Sequence, residues 1–300
     1  MRVIFFGSGA FAVPVLRALT GEHEVCLTIC PPARPAGRKM CLTSSPLALT
    51  AQQWSLPLAE GLAGEDLTQK IHAMAPEALI VCDYGGLLPA AVLSLPPRGG
   101  LNVHPSLLPR WRGAAPIERA ILAGDQETGV TIMQMAAGLD CGDILLQEKI
   151  LLTPNINAGE LSDILSAMSA RLLLRALREK PPPTPQDSSQ ATYARKIHAA
   201  ERRLNFTNSA AEEARRVRAF APHPGAYTIL AGERIKVCAA KCQNTHGTAG
   251  EILLADQNGI VIACRHGALA LTEIGREGKK IMTAADFLRG FSLPLRAYTE

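Results

Sequence analysis

The sequence predicts an α/β protein with two domains, and three features of the chain support this. In the first part, short apolar runs that end at glycine or histidine alternate with segments of helical periodicity, which is typical of a parallel sheet. Near residue 183 the chain becomes rich in proline and polar residues, as linkers are. Beyond it, one helical segment is followed by about five short strand-like runs, which suit a small closed β-barrel of the OB type. We therefore expect a Rossmann-like domain with a mostly parallel sheet at 1–182, a linker at 183–203 and an OB-like barrel at 204–300.

We predict the individual helices and strands from the periodicity of apolar residues and from the glycine and proline residues that separate them. In the first domain, strands are predicted at 3–6, 25–30, 79–82 and 101–104, and helices at 11–19, 67–74, 117–122 and 160–178. In the second domain, Ser209 and Glu212 form the pattern of a capping box for a helix that reaches about Phe220. Strands are then predicted at 226–230, 235–239, 252–254, 260–263 and 268–274.

Composition excludes several classes of protein. Hydrophobic residues make up 47% of the chain and charged residues 19%, without the run of about 18 apolar residues that a membrane helix needs. The first residues do not resemble a signal or transit peptide. The eight cysteines form no C-x-x-C pair, and Cys238 and Cys242 lack further Cys or His at ligand spacing, so no metal site is expected. We expect a cytoplasmic protein.

Charge is distributed unevenly along the chain. Residues 180–300 contain 17 basic and 11 acidic side chains, a formal charge of +6, whereas the whole chain carries +4. This excess fits either a solvated surface or a surface that attracts a polyanion such as nucleic acid.

The loop after the first strand satisfies a dinucleotide-binding pattern. Residues 7–12, Gly-Ser-Gly-Ala-Phe-Ala, follow a strand and open a helix, as G-x-G-x-x-G/A requires. Such a site also needs an acidic side chain after the second strand, but that strand is followed by Pro31-Pro32-Ala33-Arg34. The pattern is therefore a weak indication of NAD binding. A 2′-phosphate facing Arg34, another anion, or simple packing remain open.

Asn102, His104 and Asp140 are the candidate catalytic residues. Asn102 and His104 are two apart on a predicted strand, so their side chains project to the same face near its carboxyl end. Acyl transfer to an amine passes through a tetrahedral oxyanion, which an amide N–H and an imidazolium can stabilise. The amine must also lose a proton, and Asp140, within Gly138-Leu-Asp-Cys-Gly-Asp143, can support the imidazolium and relay protons. Taken singly, such residues are often structural.

Several longer motifs resemble the folate-dependent formyltransferases. The clearest is Leu101-Asn-Val-His-Pro-Ser-Leu-Leu-Pro-Arg-Trp-Arg-Gly-Ala-Ala-Pro-Ile117. Others are Arg34-Pro-Ala-Gly-Arg38, Tyr84-Gly-Gly-Leu-Leu-Pro89, 127–135 and 138–143, so the resemblance covers nearly the whole chain. Within the family, the chain is most similar to the enzymes that act on methionyl initiator tRNA.

The resemblance implies transfer of a formyl group from 10-formyltetrahydrofolate to the amino group of methionyl initiator tRNA, by a monomer with a formyltransferase N-terminal domain and a tRNA-binding barrel. It implies the catalytic roles of Asn102, His104 and Asp140 given above. It assigns folate contacts to Ser106, Leu107, Leu108, Pro109, Tyr84 and Gly85, and tRNA contacts to Arg34, Arg38 and Lys39.

Two other functions remain open at this point. The same three catalytic residues serve relatives whose acceptor is a nucleotide-sugar amine or water, and a catalytically idle RNA-binding protein could use the same scaffold. The chain also departs from the family pattern: Cys141 stands where Thr is common, Ala221-Pro-His-Pro224 where Asn-Pro-Trp-Pro is frequent, and Asp83 precedes Tyr84. None of these changes removes a predicted catalytic group.

Overall fold

The computed structural model of the chain describes residues 1–36, 40–293 and 298–299. Its strands are β1 Arg2–Gly7, β2 Glu24–Cys30, β3 Arg34–Ala36, β4 Cys41–Thr43, β5 Leu58–Glu60, β6 Ala78–Cys82, β7 Gly100–His104, β8 Arg112–Gly113, β9 Glu127–Gln134, β10 Ile144–Leu151, β11 Tyr193–Ala194, β12 Ala226–Leu230, β13 Glu233–Gln243, β14 Ile252–Asp256, β15 Gly259–Ala263, β16 Ala268–Arg276 and β17 Met282–Thr283. Its α-helices are α1 Ala12–Glu22, α2 Pro46–Gln53, α3 Gly64–Met74, α4 Ala90–Leu93, α5 Pro116–Ala123, α6 Ala158–Glu179, α7 Ala210–Phe220 and α8 Ala284–Leu288.

The chain divides into two compact units that alternate along the sequence. Unit 1 comprises residues 1–116, 127–151 and 162–195, and unit 2 comprises 117–126, 152–161 and 196–300. The first part of the predicted linker, up to residue 195, therefore packs as part of unit 1. The linear limits at 182 and 204 stay a prediction.

Unit 1 is built on a seven-stranded sheet with the order β10-β9-β7-β6-β1-β2-β5. The strands from β7 to β5 run parallel to one another, whereas β9 is antiparallel to β7 and to β10. This confirms the predicted mostly parallel sheet. Central strands such as β1 and β6 are buried along almost their whole length, as expected when helices cover both faces of a parallel sheet.

Unit 2 contains an antiparallel sheet with the order β12-β13-β16-β15-β14, and β17 pairs with β16. All five predicted strands are confirmed, and β13 is longer than predicted because it continues to Gln243. Register shifts interrupt its pairing with β16 near Ala239, and such bulges bend strands. The pairings of the described residues do not join β12 to β14, so closure into an OB-like barrel stays a prediction.

Helix α7 begins with the capping box that the sequence predicts. The Ser209 hydroxyl oxygen accepts a hydrogen bond from the Glu212 backbone N–H at 3.2 Å, and the Glu212 carboxylate accepts from the Ser209 N–H at 2.8 Å. Helix α7 also buries Glu213, which accepts hydrogen bonds from the Asn205 N–H and from Arg216.

In the described part of the chain, no helix combines the length and the apolar character needed to cross a lipid bilayer.

We expect Ser209→Ala to lower the free energy of unfolding by about 1 kcal/mol, since the change removes the side-chain acceptor of a helix cap. Chemical denaturation followed by circular dichroism measures this loss. Ser292→Ala, at an exposed serine of unit 2, is the control and should change stability little. Equal effects of the two substitutions would contradict the energetic role assigned to the cap.

Candidate active site

The predicted catalytic residues lie at the carboxyl edge of the unit 1 sheet. Strand β7 pairs in parallel with β6, where Cys82 is opposite Val103, and antiparallel with β9, where His104 is opposite Thr131. Asn102 and His104 therefore occupy the end of a central strand, as the sequence predicts. The two residues are two apart, so their side chains emerge on the same face.

Asp140 joins these two residues from a separate part of the chain. The Asn102 amide Nδ2 donates to Asp140 Oδ1 at 3.2 Å, and the Gly113 backbone N–H donates to Oδ2 at 2.8 Å. His104 Nδ1 lies 3.7 Å from the same Oδ2, and the two side chains are only 5% and 13% exposed. The structure thus brings all three predicted catalytic residues together around one carboxylate.

The second ring nitrogen of His104 is also engaged. Nε2 lies 2.8 Å from the Trp111 carbonyl oxygen. A carbonyl oxygen can only accept, so Nε2 carries a hydrogen and Nδ1 is the nitrogen that faces the carboxylate. Trp111 itself has a left-handed backbone, with φ of +65°, and its N–H donates to Thr192 Oγ1 at 2.9 Å. The tautomer of His104 is therefore fixed by a strained turn.

Asp140 lies in a strained loop, residues 138–143, which we call the Asp140 loop. The φ of Asp140 is +45°, a left-handed conformation that costs a non-glycine residue on the order of 1–3 kcal/mol. Only glycine fits at position 142, because a Cβ there would lie 1.8 Å from the Gln134 carbonyl oxygen. The loop is thus pressed against β9, and the strain at Asp140 requires compensating contacts.

The segment Ser106 to Pro109, predicted to contact folate, is fixed largely by internal hydrogen bonds. The Ser106 hydroxyl donates to the Arg110 carbonyl at 2.6 Å, and Thr131 Oγ1 donates to the Ser106 carbonyl at 2.7 Å. Ser106 and Leu108 are both buried. We therefore expect this segment to contact a ligand through Leu107, Pro109 or backbone groups rather than through the Ser106 hydroxyl.

Tyr84 and Gly85, the other predicted folate residues, follow the carboxyl end of β6, the strand next to Asn102 and His104. The Tyr84 ring packs edge-on against Phe6 with 5.4 Å between centroids. Burial, and to a smaller extent the nearby Cys30, raises the pKa of the Tyr84 hydroxyl. A Cβ added at Gly85 would meet nothing within 4 Å, so there is open space beside this residue.

The glycine loop after β1 packs against protein groups. A Cβ on Gly7 would lie 2.7 Å from the Cys82 carbonyl oxygen, and one on Gly9 would lie 2.0 Å from Asp83 Oδ2. The Ser8 hydroxyl donates to the Asp83 carbonyl at 2.6 Å, and the Gly9 N–H donates to the Asp83 carboxylate. The Gly9 N–H is thus already bonded to a carboxylate of the protein, and the close contacts account for glycine at positions 7 and 9. Both observations argue against dinucleotide binding.

Asp83 has unusual backbone and electrostatic properties. Its φ is +52°, and although part of the residue is exposed, desolvation by the surrounding protein raises the pKa of its carboxyl group, with the Gly9 hydrogen bond acting in the opposite direction. The sequence identified Asp83 only as a departure from the family pattern. Its role in filling the glycine loop became visible through the contacts.

Arg34 is the described member of the predicted tRNA-binding loop. It is exposed in β3, which pairs with β4 in a small hairpin where Arg34 is opposite Thr43. Arg38 and Lys39 lie outside the described residues. The nearby Leu42 is 74% exposed, so this hairpin presents both a cation and an apolar side chain to solvent.

Comparisons with known proteins cover the whole chain. Residues 1–177 match the family Formyl transferase, and residues 196–292 match Formyl transferase, C-terminal domain. A methionyl-tRNA formyltransferase of Cereibacter sphaeroides is 46% identical over 306 aligned positions that cover 100% of both chains. One from Nitrosomonas eutropha is 42% identical and covers 98% of this chain and 96% of its own.

Among solved structures, HypX from Aquifex aeolicus in complex with tetrahydrofolic acid aligns with a TM-score of 0.67. It covers 99% of this chain and 51% of that one at 18% identity. At this identity the match indicates a shared fold.

We expect Asp83→Asn to raise the unfolding temperature at pH 7.5. Burial raises the pKa of the Asp83 carboxyl group in the folded state. The group therefore does not oppose folding below its unfolded pKa of about 3.9, but it opposes folding increasingly as the pH rises through the folded pKa. Asparagine keeps an acceptor for Gly9 and tolerates positive φ. Thermal unfolding between pH 4.5 and 8 should show a gain that shrinks toward acid. Asp163→Asn, on the exposed surface of α6, is the control. A gain that does not vary with pH would contradict the assignment.

Proposed function

Because this chain belongs to the formyl transferase family over both of its domains, we propose that it transfers the formyl group of 10-formyltetrahydrofolate to the α-amino group of methionyl initiator tRNA. The observation that carries the choice of acceptor is the identity of 42–46% to methionyl-tRNA formyltransferases along essentially their entire length. The product is N-formylmethionyl-tRNA, which serves translation initiation. We also propose that the protein acts in the cytoplasm, where these substrates occur in bacteria, and acts as a monomer.

Asn102 is proposed to stabilise the negative charge that develops on the formyl oxygen during transfer. Its amide has two N–H donors, and the described contacts use only one of them, toward Asp140. The other N–H is available to a reactant at the carboxyl edge of the sheet. The bond to Asp140 fixes the orientation of the amide in advance, so that little reorganisation accompanies the reaction.

His104 and Asp140 are proposed to manage the protons. The attacking amine must lose a proton and the leaving nitrogen must gain one. The hydrogen bond to the Trp111 carbonyl holds the proton on Nε2 of His104, so an additional proton is accepted at Nδ1, which faces Asp140 Oδ2. The carboxylate stabilises the resulting imidazolium, and Asp140 in turn is held by the Gly113 N–H.

Residues near Asn102, His104 and Asp140 are proposed to bind the planar ring system of folate. Tyr84, Gly85, Leu107 and Pro109 are proposed to contact its ring system; Tyr84 is half-buried and the space beside Gly85 is open. Ser106 and Leu108 are proposed to support this surface from within, since both are buried. When bound, 10-formyltetrahydrofolate would supply the activated one-carbon group that is transferred.

The acceptor tRNA is proposed to contact Arg34, Arg38 and Lys39, since cationic side chains position nucleic acids through their phosphates. The formal charge of +6 on residues 180–300 is proposed to add to this attraction. A folate-dependent enzyme that acts on a nucleotide-sugar amine or on water would share the catalytic residues. The identity to methionyl-tRNA formyltransferases favours the tRNA acceptor over these alternatives.

We expect purified protein to formylate methionyl initiator tRNA with 10-formyltetrahydrofolate, and Asn102→Ala to lower kcat by roughly 10²- to 10³-fold, the usual effect of removing one preorganised donor. Asp140→Ala should lower kcat at least as much, because it removes the group that orients both Asn102 and His104. Formylmethionyl-tRNA formation under saturating substrates, measured by acid-gel separation, gives kcat for each protein.

Asn155→Ala and Asp163→Ala are matched controls at exposed positions and should retain wild-type rates. Full activity in Asn102→Ala and Asp140→Ala would contradict the proposed mechanism. Lack of formyl transfer by the wild-type protein to charged initiator tRNA, together with transfer to a nucleotide-sugar amine, would contradict the proposed acceptor.

A further inference from the structure

The side chain of Gln186 contacts the Asp140 loop from inside unit 1. Its Nε2 donates to the carbonyl oxygens of Asp140 and Gly142, at 2.9 and 2.7 Å. We propose that Gln186 is a positioning residue, which holds the Asp140 loop so that the carboxylate stays between Asn102 and His104. This inference rests on the function proposed above and adds to it a residue 46 positions away from Asp140 in the chain.

The Asp140 loop needs such a contact because its conformation is unfavourable by itself. Asp140 has a φ of +45°, and the neighbouring Leu139 is 52% exposed. One amide group that bonds two carbonyls of the loop, two residues apart, resists a change of φ at Asp140. With the backbone held in this way, the Asp140 carboxylate stays within hydrogen-bond distance of the Asn102 amide and the Gly113 N–H.

Buried Arg112 determines which way the Gln186 amide points. The Arg112 side chain donates to Gln186 Oε1 from Nε at 3.1 Å and from Nη2 at 2.9 Å, and Nη2 also reaches Ser188 Oγ at 3.4 Å. A guanidinium only donates, so the amide oxygen must face Arg112 and the amide nitrogen must face the loop. Arg112 is only 5% exposed.

Arg112 also connects this contact to the carboxylate itself. The next residue, Gly113, donates its backbone N–H to Asp140 Oδ2. The peptide that follows is held on β11, where the Ala114 N–H donates to the Ala194 carbonyl at 2.8 Å. Gln186, in the segment that the sequence presents as a linker, therefore holds the main chain of Asp140. Its partner Arg112 precedes Gly113, which holds the side chain of Asp140.

The informative substitution is Gln186→Glu. A carboxylate keeps, and strengthens, the acceptor that Arg112 requires, so the buried cation stays paired. The same change removes the N–H donors and places oxygen against the carbonyls of Asp140 and Gly142. We expect kcat for formyl transfer to fall by about 10- to 100-fold, the scale that small misplacements of reacting groups produce, with KM for both substrates and the unfolding temperature close to wild type.

Two further variants separate this role from general stability. Gln186→Met removes the acceptor as well and leaves Arg112 without it, so both kcat and the unfolding temperature should fall. Gln190→Glu changes a glutamine of the same segment that is exposed and bonds Asp187. It should leave kcat and KM unchanged.

A second readout does not depend on activity. In Gln186→Glu, the Gly113 backbone amide, which donates to Asp140 Oδ2, should exchange hydrogen at least 10-fold faster than in wild type, while the amides of β7 exchange at the wild-type rate. Unchanged exchange at Gly113, or a kcat within twofold of wild type, would overturn the inference. If the wild-type protein transfers no formyl group to methionyl-tRNA, the proposed function fails, and the exchange measurement alone then decides the role of Gln186.

Discussion

The carboxylate of Asp140 is the group on which the arrangement of the site depends. One oxygen accepts from Asn102, and the other accepts from the Gly113 backbone and faces Nδ1 of His104. Without this acceptor, the amide and the imidazole would have no common partner, and the Asn102 amide would lose the contact that orients it. Asp140 has a left-handed backbone conformation, which is unfavourable for a residue with a side chain. The surrounding chain must therefore stabilise this conformation.

The sheet supplies the rigid frame for that group. Parallel strands bring β6 and β7 to one edge, while the change to antiparallel pairing at β9 places Thr131 and Gln147 under the turn that follows His104. Thr131 bonds the carbonyl of Ser106 and the N–H of Leu108. The segment expected to face folate is thus an extension of the core rather than a loose loop.

Local patterns in the sequence were sufficient for most of the fold. Central strands, the capping box at Ser209 and the same-face spacing of Asn102 and His104 depend on neighbouring residues and were predicted from periodicity. Strand β10 was not predicted, because it is an edge strand with mixed polarity. Strand β9 was also missed, although most of its residues are buried. The contacts of Asp83 with Gly9 and of Gln186 with Asp140 join distant segments, so no spacing rule in one sequence could indicate them.

The proline-rich segment after α6 has a consequence for how this fold can be divided. Gln186, Ser188 and strand β11 all belong to unit 1 and contact residues that border Asp140. A protein engineer who excised the catalytic half at residue 182 would keep Asn102, His104 and Asp140 yet discard the residues that brace them. A catalytic module cut from this fold should therefore extend to residue 195, because the segment that looks like a tether in the sequence packs onto unit 1.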